Sequence, residues 1–183
     1  MREHPLAFID LETTGLVPQR HELIEIAYVI VSQPDFTVMK EHVMQIKPLH
    51  LDTADQEALR IIHFDKRDWS GAISRREAMT RFAADVKGCI MVGQNITVDW
   101  SFLREALSEE QMNDPMHYHR LDVMSIAYGL LKDEVDIRKF SLKELVDYFH
   151  ITVEHMHSAL DDTKATFEVY KKLLAYRDRL SLR

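Results

Sequence analysis

Apolar and polar positions alternate along the chain in blocks that change period several times. Leu6–Leu11 opens on a continuous apolar run, Leu-Ala-Phe-Ile, and predicts a buried strand. Thr13-Thr14-Gly15-Leu16-Val17-Pro18 carries the residues of a turn. Glu25–Ser32 and Thr37–Ile46 predict two more strands, with Gln33-Pro34-Asp35 as their hairpin connection. A helical period follows over Asp52–Ile62 and Ser74–Val86, the two separated by a polar segment bearing Trp69 and Gly71. Cys89–Gly93 predicts a short buried strand. Helices are then expected over Val98–Leu107, Asp122–Leu131, Ser141–Phe149 and Ser158–Leu180, the last the longest. Three early strands followed by a strand among helices predict an α/β protein with a mixed central sheet covered by helices.

Composition narrows the class. The 183 residues suit one domain over 1–183, with 46% hydrophobic and 29% charged residues, ordinary values for a globular chain. No repeat or Gly/Ser-rich linker divides it. No apolar stretch approaches the roughly 20 residues that span a bilayer, so no membrane partner is expected. The opening Met1-Arg2-Glu3-His4-Pro5 lacks the apolar core of a signal peptide. Cys89 is the single cysteine, which excludes an internal disulfide and points to a reducing, cytoplasmic setting.

Against that regular background, certain carboxylates fall where acids are costly. Asp10 and Glu12, at the end of the first strand, are two residues apart and share a face with Leu6 and Phe8. The same pattern also describes two acids leading into a solvated turn. On the helix from Val98, an advance of about 100° per residue puts Asp99 on one stripe with Phe102, Leu103, Ala106 and Leu107, while Ser101, Arg104 and Glu105 lie opposite. A carboxylate in a core-facing stripe needs a partner or an ion, unless it only caps the helix start. In the last helix, phase separates two neighbours: Asp162 shares a side with Ala159, Thr166, Val169, Tyr170 and Leu173, whereas Asp161 lies with Glu168 and Lys172. Acids from separated segments on apolar faces suit hard divalent cations such as Mg²⁺ or Mn²⁺.

Three motifs carry a resemblance. Phe8-Ile9-Asp10-Leu11-Glu12-Thr13-Thr14-Gly15, Val92-Gly93-Gln94-Asn95-Ile96-Thr97-Val98-Asp99 and His157-Ser158-Ala159-Leu160-Asp161-Asp162 stand in the order and spacing of the DEDDh exonucleases, the group that includes the proofreading subunit of bacterial replicative polymerases. The resemblance implies a ribonuclease H-like mixed five-stranded sheet flanked by helices, with a strand through Tyr118–Asp122 and Asp122 as a helix cap. It implies that Asp10, Glu12, Asp99 and Asp162 hold two divalent cations and that His157 is the general base. The substrate would be the 3′ end of single-stranded nucleic acid, DNA slightly favoured over RNA, and a polymerase becomes a candidate partner. An RNA-trimming exoribonuclease of the ribonuclease T or oligoribonuclease kind, and a non-catalytic nucleic-acid or polymerase-binding module, are the competing expectations. Thr13, Thr14 and His63 are implied substrate contacts. The chain departs from the family pattern at two places: His63-Phe64 replaces a His-Gly pair, and Gln94 stands where many relatives have histidine. The formal charge of −7 is unlike a protein that grips nucleic acid on a broad basic surface, so binding is expected to be local and metal-dependent.

Overall fold

In the computed structural model, which describes residues 1–153 and 158–180, the expected alternation becomes a five-stranded sheet. Strands β1 (Leu6–Thr13), β2 (Leu23–Val31) and β3 (Val38–Gln45) come first. Helices α1 (Gln56–Ile61) and α2 (Arg75–Asp85) follow, then β4 (Ile90–Gly93), α3 (Thr97–Glu109), β5 (Arg120–Asp122), α4 (Val123–Leu131), α5 (Leu142–Tyr148) and α6 (Ala159–Leu180). The strand order is β3-β2-β1-β4-β5. β2 pairs antiparallel with β1 and β3, while β4 runs parallel to β1 and β5, so the sheet is mixed as expected.

Period-two alternation in β1 sends consecutive side chains into separate cores. Ala7 and Ile9 join Ile26, Tyr28, Met79, Phe82 and Leu103 on the face covered by α2 and α3. Leu6 and Phe8 join Val29, Val31, Val92, Val169 and Leu173 on the face covered by α4, α5 and α6. Phe8 meets Phe167 and Tyr170 with ring centroids 4.9 and 5.5 Å apart, in tilted and edge-on geometry. Because both faces are covered, β2 is buried along its whole length and reads as a nearly unbroken apolar run.

The helix expected over Asp52–Ile62 is in fact two pieces. A 3₁₀ turn at Leu51–Thr53 is followed by α1, because Asp55 restarts the chain as an N-cap whose carboxylate accepts the N–H groups of Glu57 and Ala58. The hairpin between β2 and β3 is wider than Gln33–Asp35. Ser32 N–H donates to the Thr37 carbonyl at 2.9 Å, and the Ser32 hydroxyl donates to Asp35 at 2.6 Å.

The strand ends prepare a site. β1 is paired with β4 only at Leu6, Ala7 and Phe8, so it runs on past the end of β4 through Asp10 and Glu12. The chain leaving β4 bends at once toward α3. At Gly93 any Cβ would stand 3.2 Å from the Ile9 carbonyl oxygen, a tight contact that glycine avoids. The carboxyl ends of parallel strands are where open α/β sheets receive ligands, and the expected acids lie at that end.

Candidate active site

Three elements bring the four acids together. Asp10 and Glu12 come from the part of β1 that runs past β4, Asp99 from the first turn of α3, and Asp162 from the first turn of α6. Asp99 is buried in one stripe with Phe102, Leu103, Ala106 and Leu107, the stripe that helix phase predicts. It does not cap α3, because the N-cap is Ile96. Its carboxylate faces the end of β1, where the Leu11 backbone amide favours the ionised form.

Burial, and then neighbouring charge, disfavours the ionised form of these acids. Asp10 is held well above the ordinary carboxylate range, first by burial, then by the charges of Asp99, Glu12, Asp162 and Glu25. Burial pushes Glu12 up to about 8, Glu25 adds to the effect, and the Arg67 guanidinium opposes it. Burial lifts Asp99 to about 7 against the pull of its two backbone hydrogen bonds, with Asp122 contributing. Asp162 acts on both Asp10 and Glu12, whereas Asp161 lines a separate surface pocket with Ile151, Val153, Lys164 and Glu168.

Among the described residues, no three histidine, cysteine, aspartate or glutamate side chains are closed around a common point as ion ligands. The donor set nevertheless suits hard dications. It consists of oxygen alone, it is desolvated, and its members oppose each other's ionisation, a cost that divalent cations would remove. His157, the expected general base, lies outside the described residues.

Beside Glu12 and Asp99 lies a cleft of about 230 Å³ walled by Leu11, Leu16, Ile61, Ile62, Val98 and Phe102, with Thr13 at its rim. Leu16 is 79% exposed there, so its side chain is an open apolar surface rather than core packing. Thr14, also expected to meet substrate, is fully buried. Its hydroxyl accepts the Glu22 N–H at 2.8 Å and its carbonyl accepts the Asp55 N–H at 2.8 Å, so it holds the loop and does not line the cleft. Gly15 completes that turn, where a Cβ would fall 2.4 Å from the His21 ring.

His63 is exposed, just past the two isoleucines of the wall, and is itself in the left-handed region with φ 53°. The tight turn that a following glycine would ease is therefore made by the histidine, ahead of a 3₁₀ turn at Phe64–Lys66. Gln94 donates to the Phe140 carbonyl at 2.7 Å. Asp122 caps α4 by accepting the Ser125 N–H at 3.0 Å, as expected, and its other oxygen accepts the Ile96 N–H at 3.2 Å.

Two charged residues of the site escaped sequence reasoning. Glu25 faces Glu12 across the β1–β2 pairing, and Arg67 reaches it from the segment between α1 and α2. An acid near the start of an otherwise continuous apolar strand was the available signal for Glu25. Nothing in the local pattern marks Arg67.

Comparison with known proteins places the chain in a family and a fold. The family model named RNase T and described as an exonuclease matches residues 7–170. A DNA polymerase III PolC-type protein of Thermotoga petrophila is 26% identical over 174 residues, 95% of this chain but 12% of its own length. A ribonuclease T of Marinobacter nauticus is 28% identical over 141 residues, covering 66% of this chain and 63% of the relative. An oligoribonuclease of Corynebacterium efficiens is 27% identical over 142 residues, covering 68% and 61%. Among solved structures, Escherichia coli exonuclease I in complex with a dT13 oligonucleotide superposes with a TM-score of 0.82 at 20% identity, over 97% of this chain and 42% of that one. The zinc-bound form of its single-stranded DNA complex gives a TM-score of 0.83 at 19% identity, with the same coverage. The chain thus spans a small part of the PolC-type proteins and less than half of exonuclease I.

Proposed function

Since the chain belongs to the exonuclease family matched over residues 7–170, we propose that it is a metal-dependent 3′–5′ exonuclease that releases nucleoside 5′-monophosphates from a single-stranded 3′ end. The observation that carries the reading is the meeting of Asp10, Glu12, Asp99 and Asp162 beside a mostly apolar cleft. Sites for drug-sized ligands occupy about 300–1,000 Å³, so the smaller space here suits one terminal base rather than a duplex end. Leu16, Ile61 and Val98 would lie against that base, and Thr13 and His63 would meet its sugar and phosphate.

The four carboxylates would hold two divalent cations, Mg²⁺ or Mn²⁺. Such ions supply Lewis-acid activation of the attacking water and charge neutralisation at the leaving 3′ oxygen. Asp99, buried in the first turn of α3 with the Leu11 amide favouring its ionised form, would present its carboxylate to the end of β1. His157 would accept the proton of the attacking water, a role for which an imidazole with an ordinary pKa of about 6.5 is suited near neutral pH. The cleft wall holds the terminal nucleotide so that its phosphodiester faces the acids.

The substrate polymer is tested by matched labelled DNA and RNA oligonucleotides with Mg²⁺, Mn²⁺ or chelator. The PolC-type relatives and the exonuclease I complexes with single-stranded DNA favour DNA; the ribonuclease T and oligoribonuclease relatives favour RNA as the second reading. Faster release from DNA, abolished by chelator, is expected. The role of His157 is checked in the same assay: His157→Ala should lower kcat by about 10²-fold. Full activity in that variant would remove the histidine from the mechanism. Among the described residues no helix is long and apolar enough to cross a membrane. A reducing cytoplasmic setting, with a polymerase as candidate partner, completes the proposal.

A further inference from the structure

Between α1 and α2 the chain runs as an irregular segment beside the site, through residues 62–74. Its far end is tied to the sheet by backbone, with the Ile73 N–H on the Gln45 carbonyl at 2.9 Å and the Lys47 N–H on the Ile73 carbonyl at 2.8 Å. Its middle is tied by a side chain. Arg67 Nη2 lies 2.8 Å from Glu25 Oε1, and the two side chains are only 19% and 4% exposed.

Glu25 is the residue directly across β1–β2 from Glu12, and paired residues of neighbouring strands project from the same face. One anchor thus joins the middle of this segment to the strand register that sets the catalytic edge. Around Arg67 the segment is folded on itself. Phe64 and Trp69 stack with centroids 4.6 Å apart, Trp69 Nε1 donates to the Phe64 carbonyl at 2.9 Å, and the Arg67 guanidinium lies 5.7 Å from the Trp69 ring centre. His63 begins that folded unit.

A buried ion pair gives little net stability compared with apolar residues of the same size. Arg67 also leaves Nη1 buried without a hydrogen-bond partner among the described residues, a further cost. Stability alone is therefore a poor reason for this pair, whereas position is a good one.

We propose that Arg67 is a positioning residue for the 3′ end. By gripping Glu25 it holds the His63–Trp69 unit in fixed register with Glu12, so that His63, at the start of that unit and next to the cleft wall, keeps one geometry with the carboxylates. The inference rests on the exonuclease reading of the site. Arginine suits the task better than lysine because its planar fork fixes direction as well as charge.

The test compares wild type with Arg67→Met, Arg67→Lys and the double variant Glu25→Gln/Arg67→Met, at saturating Mn²⁺. The double variant leaves no lone buried charge and guards against a simple failure to fold. We expect KM for a single-stranded oligonucleotide to rise about tenfold in Arg67→Met and in the double variant, with a smaller fall in kcat, and partial recovery in Arg67→Lys. A wild-type KM in Arg67→Met would overturn the proposal. So would its restoration in the double variant, because Arg67 would then serve only to cancel the charge of Glu25. Wild-type mononucleotide release in the same assay judges the exonuclease reading by itself. Were it absent, fluorescence anisotropy with a labelled oligonucleotide in Ca²⁺ would decide the role of Arg67, with a comparable loss of affinity expected and equal affinity overturning it.

Discussion

Asp99→Asn is expected to cut mononucleotide release by roughly 10³–10⁴-fold, about 4–5.5 kcal/mol of transition-state stabilisation, while raising the melting temperature of the metal-free protein at pH 8. The two effects share one cause. Asp99 is buried in the apolar stripe of α3, and burial holds its carboxyl at about 7, well above its value in an unfolded chain. A carboxyl with a raised folded pKa binds its proton more tightly when folded, so its ionisation removes stability as pH climbs from about 4 to about 8. At pH 8 the carboxylate is therefore a destabilising group without metal. Asparagine has the same shape and can still accept the Leu11 N–H, but it carries no charge to desolvate and is a poor ligand for a hard cation. Differential scanning fluorimetry in chelator and single-turnover cleavage are the two measurements. Leu103→Ala, on the same stripe, provides the contrast, with an expected loss of about 2–5 kcal/mol of stability. A fall in melting temperature for Asp99→Asn would mean that the acid is held for structure rather than for an ion.

That contrast explains why Asp99 was legible in the sequence. Helix phase is a property of a single segment, and it set the aspartate among Phe102, Leu103 and Ala106 before any fold was known. The same argument separated Asp162 from Asp161, and the structure puts Asp162 alone of the two within reach of Asp10 and Glu12. Asp10 and Glu12 were weaker. An acid pair ending a strand reads equally as the start of a solvated turn, and only the shortness of β4 reveals that β1 projects past its neighbour.

What stayed hidden depended on residues far apart in the chain. Glu25 and Arg67 are linked across 42 positions, and the arginine sits in a segment without periodicity. Thr14 looked like its neighbour Thr13, yet its hydroxyl is spent on Glu22, because closing the loop between β1 and β2 requires a buried partner for that backbone amide. The turn at His63 was also unreadable, since a non-glycine residue in the left-handed region is uncommon and is fixed here by surrounding structure. Local pattern thus revealed the acids that face the core of their own element. Tertiary contacts decided which polar neighbours support them.

Raising the pH from 6 to 8 is expected to tighten Mn²⁺ or Mg²⁺ binding by roughly 10²-fold or more, with protons released as the ions bind. Glu12 at about 8 and Asp99 at about 7 both carry protons over much of that range, and Asp10 is raised as well. Cations must displace those protons, so affinity climbs until the carboxylates are ionised without help. The stability of the metal-free protein moves the other way. These groups hold protons more tightly folded than unfolded, so its melting temperature should fall between pH 6 and 8 from this contribution, and the rise produced by added metal should grow over the same interval. Titration calorimetry in two buffers of different ionisation enthalpy counts the released protons directly. Cleavage at fixed, subsaturating Mg²⁺ should increase across the interval as well, and an imidazole general base would contribute in the same direction, since the reference imidazole pKa is about 6.5. The calorimetric proton count separates the two. Protons released on metal binding without substrate come from the carboxylates, whereas a pH dependence that survives at saturating metal belongs to the base. Binding without proton release, at an affinity independent of pH, would show that the ions settle elsewhere than on Asp10, Glu12 and Asp99.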